Sequence, residues 1–238
     1  MGHIVSAFGV RADPQKIKAM VHWPHPQTTK QLRGFLGLTS YYRRFIRGYA
    51  SLAAPLTDLL CKDAFKWTQA TAEAFENLKR AMVEAPVLRL PDFDSEFILE
   101  TDASNVGIGD VLMQYGHPIC YFSKKLGPRL RASSTYLKEL TAIVEAVHKW
   151  RQYLLGKFFI IRTDHKSIKE LLQQVVQTPD QQVYIRKLLG YHFRMIINQV
   201  ALILQQMPYH AFMKRLVWNH QQSLPLVCLF LVILRLSC

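Results

Sequence analysis

Three acidic residues lie where their carboxylates could meet in the folded chain. Asp102 ends an apolar run that starts at residue 97, and Asp164 ends a second apolar run that starts at residue 158. Glu139 lies early in a long amphipathic pattern that predicts a helix. Strand ends and helix starts can converge at one edge of a sheet, and convergent carboxylates are what hard divalent metals need. Each residue alone would more commonly be a surface acid.

The C-terminal part of the chain limits this candidate metal site. After Asp180 the sequence contains no Asp or Glu. A fourth acidic ligand would therefore have to come from upstream. The sequence predicts a metal site that is incomplete.

The charge of the chain points to a polyanionic partner. The chain has 238 residues, half of them hydrophobic, and a formal net charge of +13, which together predict a packed core and a basic surface. Eight basic residues and one acidic residue lie between positions 11 and 47. A solvated helix face would explain this cluster, but a nucleic-acid partner explains it better. The candidate nucleic-acid-binding residues are Lys30, Arg33, Arg43, Arg44 and Arg47.

Other classes of protein are disfavoured. The four cysteines are scattered and form no Cys-x-x-Cys pair, which argues against a zinc site or a disulfide framework. No signal peptide opens the sequence, so we expect an intracellular protein of the cytoplasm or nucleus. Residues 224–234 are apolar but too short to cross a bilayer, which takes about 20 residues, so a membrane partner is not expected. The oligomeric state is left open.

The first segment, to residue 91, is predicted to be mainly helical. Asp13 and Pro14 form a typical helix start, and Thr28 or Thr29 caps a second helix. A third helix is expected over residues 71–83. The aromatic residues among the arginines at 41–49 have the spacing of a core stripe, so we expect Tyr41, Phe45 and Tyr49 to be buried. The proline-bounded residues 85–92 predict a domain boundary.

The second segment changes from helical to strand periodicity. Strands are predicted over 97–101, 106–113 and 118–122, with a hairpin turn at 115–117. A helix follows from a cap at Ser133 or Ser134 to about residue 155, and then a strand at 158–163. A short helix at 167–175, another at 181–189 and a strand at 191–197 complete the pattern. This order predicts an α/β fold, a mixed five-stranded sheet with flanking helices. Strand alternation places Asp110 on the same face as Ile108 and Leu112.

These segments together resemble a known family. The residues that carry the resemblance in the second segment lie at 99–104, 107–109, 121–126, 136–140, 150–156 and 162–167. They resemble the ribonuclease H domain of Ty3/gypsy-type retrotransposon polyproteins. The residues at 23–24, 32–38, 41–46, 53–57 and 85–88 resemble the thumb and connection region of the same polyproteins. The resemblance covers the chain from about residue 2 to residue 197. It implies that residues 1–91 are the thumb and connection region and that residues 92–213 are the ribonuclease H domain, with a degenerate C-terminal helix. Residues 214–238 are then an unassigned apolar tail.

The resemblance implies a reaction and a site. Family members hold two divalent metals with four carboxylates and cut the RNA strand of an RNA–DNA hybrid. The match places three catalytic and metal-binding carboxylates at Asp102, Glu139 and Asp164, with Mg²⁺ or Mn²⁺ as the metal and no small-molecule cofactor. Leu202 occupies the position of the fourth carboxylate, and leucine cannot ligate a metal. The family's polymerase signature, an adjacent pair of aspartates, does not occur in the sequence, so we do not expect this chain to polymerise DNA.

Three functional hypotheses remain open. The first is a retrotransposon-derived fragment whose ribonuclease H activity is impaired by the loss of the fourth carboxylate. The second is a non-catalytic module that holds an RNA–DNA hybrid or duplex through its basic surface. The third is an inactive pseudogene product that folds poorly. The sequence leaves open whether the chain is an active enzyme.

Overall fold

A computed structural model describes residues 2–164 and 179–197 of the chain. The predicted helix at 167–175, the position of Leu202, the C-terminal helix and the apolar tail all lie outside the described residues. The two described ranges belong to one compact unit. Within the two described ranges, we find no helix that is long and apolar enough to cross a membrane.

The first segment is mainly helical, as predicted, but it begins with a hairpin that was not predicted. The strands are β1 (His3–Ser6) and β2 (Gly9–Ala12). The helices are α1 (Pro14–Val21), α2 (Thr29–Tyr41), a single 3-10 turn (Arg43–Phe45), α3 (Tyr49–Asp58) and α4 (Gln69–Val83). Asp13 caps α1 and Thr28 caps α2, each by accepting a hydrogen bond from a backbone N–H of the first turn. The local cap residues therefore define both helix starts.

The helices of this segment enclose a core of their own. Its largest buried side chains are Met20, Leu32, Phe35, Tyr42, Phe45, Leu56, Phe75, Leu78, Met82 and Leu88. Tyr49 is buried as predicted, but Tyr41 is 39% exposed, so the prediction that it belongs to the core stripe is wrong. The reason is that α2 ends at Tyr41 and the chain then turns, which brings Tyr42 inward instead.

The second segment forms the predicted mixed sheet. Its strands are β3 (Phe97–Ala103), β4 (Gly107–Gln114), β5 (His117–Lys125), β6 (Phe158–Thr163) and β7 (His192–Ile197). Its helices are α5 (Pro128–Arg131), α6 (Thr135–Lys149), α7 (Arg151–Leu154) and α8 (Pro179–Leu188). The strand order is β5-β4-β3-β6-β7. Strands β3, β4 and β5 pair antiparallel, whereas β6 runs parallel to β3 and β7 runs parallel to β6. The predicted fold class is confirmed.

The two faces of the sheet have different coverings. Helix α6 packs on one face against β3 and β4, where its residues Leu140, Ile143 and Val147 are buried. The predicted single helix to residue 155 is interrupted at Trp150, which ends α6 before the short α7. Helix α3 of the first segment packs against β4 and β5. There the backbone N–H of Ala50 donates a hydrogen bond of 2.9 Å to Ser123 Oγ on β5.

Candidate active site

Parallel pairing places two of the predicted carboxylates at the same edge of the sheet. In the register between β3 and β6, Phe97 lies beside Phe159 and Glu100 beside Arg162. Asp102 and Asp164 each lie two residues further along their strand direction, so the same register brings them together. Both side chains are exposed. The edge where these parallel strands end is where ligands commonly bind in sheets of this kind.

Glu139 completes the group from α6. One carboxylate oxygen from each of Asp102, Glu139 and Asp164 can be chosen so that all three lie within 4.8 Å of one another. Glu139 is fully buried, and its Oε1 accepts a hydrogen bond of 3.1 Å from the backbone N–H of Ala103. That bond fixes the Glu139 carboxylate against the end of β3. The structure therefore brings together the three residues that the sequence singled out.

Burial and crowding make Glu139 a weak acid. Burial raises the pKa of the Glu139 carboxyl to about 7, and the negative charges of Asp164 and Asp102 add to the effect. The Ala103 hydrogen bond acts in the opposite direction. Three carboxylates at this distance repel one another unless a proton or a cation lies among them. Carboxylate oxygens are the donors that Mg²⁺ and Mn²⁺ prefer, so the three residues fit such an ion.

A fourth carboxylate, Asp110 on β4, lies near this group but on the α6 side of the sheet. It is directly opposite Thr101 in the antiparallel register, and only 3% of its surface is exposed. As the strand alternation predicts, Ile108 and Leu112 are buried with it. Neither carboxylate oxygen has a hydrogen-bond partner among the described residues. Burial raises the pKa of Asp110 well above its ordinary value, and the negative charges of Glu139 and Asp102 raise it further.

A cleft of about 230 Å³ opens above the exposed carboxylates. Asp102 and Asp164 line it together with Glu100 and Arg162 from the neighbouring positions of the same strands. Arg162 Nη1 lies 2.5 Å from Glu100 Oε1, which joins the two strands by an ion pair. This pair was not among the residues predicted from the sequence. Residues two apart on a strand share a face, but the pairing of Glu100 with Arg162 depends on the parallel register of β3 and β6.

The predicted nucleic-acid-binding residues all lie on the surface of the first segment. Lys30, Arg33, Arg43, Arg44 and Arg47 are exposed. Arg47 lines the carboxylate cleft. The structure thus separates Arg47 from the other four residues, a distinction that spacing along the sequence did not provide.

Comparisons with known proteins show which domain and which fold this chain resembles. Residues 67–161 match the family described as the RNase H-like domain found in reverse transcriptase. The structure superposes on a foamy viral protease-reverse transcriptase in complex with double-stranded DNA with a TM-score of 0.73 at 18% identity, covering 86% of this chain and 38% of that chain. The same viral enzyme in complex with an RNA/DNA hybrid gives a TM-score of 0.71 at 18% identity, covering 87% of this chain and 30% of that chain. The chain has an RNase H-like fold preceded by a helical region.

The relatives that the sequence matches are more specific. The chain is 46% identical over 173 residues to the retrovirus-related Pol polyprotein from transposon 297 of Drosophila melanogaster, which covers 72% of this chain and 16% of that polyprotein. It is 38% identical over 176 residues to the transposon Tf2-3 polyprotein of Schizosaccharomyces pombe, which covers 71% of this chain and 13% of the relative. The chain therefore carries a reverse transcriptase RNase H-like domain and is a relative of retrotransposon polyproteins, of which it spans less than a fifth.

Proposed function

We propose that this chain is a metal-dependent endonuclease domain that cuts the RNA strand of RNA–DNA hybrids, as part of a Ty3/gypsy-type polyprotein. The observation that carries the proposal is the convergence of Asp102, Glu139 and Asp164 from three separate elements to within 4.8 Å. Three acids with no shared role would have no physical reason to lie so close together, because their charges repel. The proposed parts are residues 1–91, 92–213 and 214–238, as the sequence resemblance implies.

The proposed metal ligands are Asp102, Glu139 and Asp164, with Mg²⁺ or Mn²⁺ as the ion. When bound, a pair of such ions would activate the attacking water and stabilise the leaving oxygen of the RNA. The protein's own residues prepare for this. The Ala103 N–H holds Glu139 in place, while the exposed Asp102 and Asp164 face the cleft through which a strand can approach.

The proposed activity is weak because the fourth carboxylate position is occupied by Leu202. Replacing a group that only supports a metal ligand typically costs about 10–100-fold in metal affinity or activity, and replacing a ligand itself should cost at least as much. We therefore expect residual cleavage or none.

The proposed substrate-binding surface is the basic face of the first segment. Lys30, Arg33, Arg43, Arg44 and Arg47 are exposed and can contact backbone phosphates. A foamy viral protease-reverse transcriptase of the same fold has been solved in complex with an RNA/DNA hybrid, which supports the choice of substrate. The same exposed cluster supports a second candidate function, in which the chain holds a hybrid without cutting it.

Cleavage of RNA that is end-labelled within an RNA–DNA hybrid tests the proposal. The native chain, Asp102→Asn and Leu202→Asp would be compared in Mg²⁺ and in Mn²⁺. We expect weak cleavage by the native chain, loss of it in Asp102→Asn, and a gain of at least roughly tenfold in Leu202→Asp, because a ligand is restored.

Three other outcomes separate the hypotheses. Robust turnover by the native chain would contradict impairment. No cleavage by any of the three chains, with hybrid binding that weakens steeply as salt rises, would favour the non-catalytic module. No cleavage, no binding and no cooperative thermal transition would favour a chain that folds poorly.

A further inference from the structure

We infer that Arg47 and Arg162 together bind a backbone phosphate of the nucleic-acid strand that enters the carboxylate cleft. The site would then be composite, because Arg47 comes from the helical first segment and Arg162 from the sheet. This inference rests on the proposed function and adds to it a pair of positioning residues. Four observations carry it.

Close packing of backbone on backbone places Arg47 beside the carboxylates. The next residue, Gly48, precedes α3 and lies over Gly109 of β4, where a Cβ atom built on Gly109 would be 4.0 Å from the Gly48 Cα. Gly109 is the antiparallel partner of Asp102. Arg47 therefore adjoins a glycine that packs against the pairing partner of Asp102. Arg47 itself lines the cleft.

Contacts of α3 with the sheet fix the position of Arg47 and Gly48, which precede this helix. Ala50 N–H donates to Ser123 Oγ at 2.9 Å, and Ser123 is the partner of Gly109 on the other side of β4. At the end of α3, Asp58 forms an ion pair with Lys125 of β5. Helix α3 is thus attached to the sheet at both ends, so Arg47 has a defined position at the cleft.

Arg162 is positioned by Glu100. The two side chains form the ion pair that joins β3 and β6, and 38% of the Arg162 side-chain surface remains exposed. A guanidinium group has five N–H donors in a planar fork, so a contact with Glu100 leaves donors that can face a ligand. Glu100 therefore orients Arg162 at the cleft.

The charges of the cleft explain why arginines are needed there. Asp102 and Asp164 are exposed to the cleft and repel a phosphodiester, whereas a divalent cation on them attracts one. Two arginines at the same cleft supply the phosphate with partners that do not depend on the cation. Arg47 and Arg162 are the basic residues that line the cleft within the described ranges, whereas Lys30, Arg33, Arg43 and Arg44 are exposed outside its lining.

A double-mutant cycle in binding affinity tests the inference without requiring cleavage. The full chain would be titrated in EDTA against a short fluorescein-labelled RNA–DNA hybrid, with anisotropy as the readout. We expect Arg47→Ala to weaken binding about tenfold, the value of one charge-assisted contact. We expect Asp102→Asn to tighten binding about threefold, because it removes a charge next to the phosphate. In the Arg47→Ala background the gain from Asp102→Asn should largely disappear, because the phosphate is no longer held beside residue 102.

Two further variants serve as controls for the cycle. Arg80→Ala removes the same charge from the exposed surface of α4. This variant should bind the hybrid with the affinity of the native chain. Arg43→Ala should weaken binding but leave the full threefold gain from Asp102→Asn, because Arg43 does not line the cleft. In the Leu202→Asp chain, Arg47→Ala should raise KM and also lower kcat, whereas Arg43→Ala should raise KM alone. Melting curves of every variant would show that each one folds.

The outcomes separate this inference from the proposed function. The effects of Arg43→Ala and Asp102→Asn on the binding free energy should be additive. If the effects of Arg47→Ala and Asp102→Asn are additive too, Arg47 acts only as a distant charge. The composite cleft is then wrong, whereas hybrid binding and the proposed nuclease role stand. If the native chain shows no salt-dependent affinity for the hybrid, the proposed function and the inference fall together.

Discussion

Replacing Asp110 with valine is expected to raise the free energy of unfolding by roughly 1–3 kcal/mol, the usual cost of a buried polar group without a partner. Asp110 is 3% exposed, and neither of its carboxylate oxygens has a hydrogen-bond partner among the residues that the structure describes. Its neighbours along β4, Ile108 and Leu112, are buried apolar residues. Valine suits both the strand and this environment.

The raised pKa of Asp110 also makes the free energy of unfolding depend on pH. Because the pKa of Asp110 is well above its ordinary value in the folded chain, the folded state holds this proton more tightly than the unfolded state does. The tighter proton binding therefore adds to the free energy of unfolding below the pKa of Asp110 in the unfolded chain, about 4. This stabilisation is lost as pH rises from that value through the higher pKa of Asp110 in the folded chain. In Asp110→Val this part of the pH dependence should be absent.

Urea unfolding across the acidic and neutral range measures both effects. Asp110→Asn keeps the shape of the side chain without its charge, so it should remove the pH dependence with a smaller gain than valine. Asp94→Asn makes the same charge change at an exposed position and should leave the unfolding midpoint unchanged. A loss of stability in both Asp110 variants would show that the carboxylate has a favourable partner, and its burial would then not be a cost to the fold.

Replacing Glu139 with glutamine is expected to stabilise the metal-free chain and to abolish its response to divalent cations. The pKa of about 7 means that the folded chain binds a proton here more tightly than the unfolded chain, so stability falls as pH rises from about 4.5 to about 7. Above this range Glu139→Gln should be more stable than the native chain by up to about 3 kcal/mol, because each unit of the pKa difference corresponds to about 1.4 kcal/mol.

The cation response has the opposite pH dependence. Glu139 binds a cation in its deprotonated form, so Mg²⁺ or Mn²⁺ should raise the thermal midpoint more above a pH of about 7 than below it. Glu139→Gln should lose this increase, whereas Glu96→Gln, at an exposed position, should retain it. An equal increase in all three chains would place the cation somewhere other than the proposed site.

The sequence predicted the sheet, and it singled out three acidic residues that the structure brings together. The reason is local. Each strand has alternating or continuous apolar residues that end at a polar residue, and Asp102 and Asp164 are such end residues. Helix α6 follows a Ser134 cap and has an apolar stripe, which placed Glu139 one turn from its start. These signals need no knowledge of distant parts of the chain.

The residues that the sequence did not distinguish depend on distant contacts. Glu100 and Arg162 become partners only because β3 and β6 pair in parallel, and the sequence between them does not specify that register. Arg47 was selected for its charge, but its position at the cleft follows from α3 packing on β4 and β5. The β1–β2 hairpin was missed because all four β1 residues are exposed, so no apolar alternation signals the strand.

The parallel pairing of β3 with β6 also bears on the order in which the chain folds. The antiparallel hairpins of β3, β4 and β5 join neighbouring segments, whereas β3 and β6 meet only after a loop that includes the whole of α6 has closed. Closing long loops costs entropy before their contacts form, so local hairpins precede distant pairings. We therefore expect Asp102 and Asp164 to come together late on the folding pathway. A ligand held by both is expected to slow unfolding and to leave the folding rate nearly unchanged.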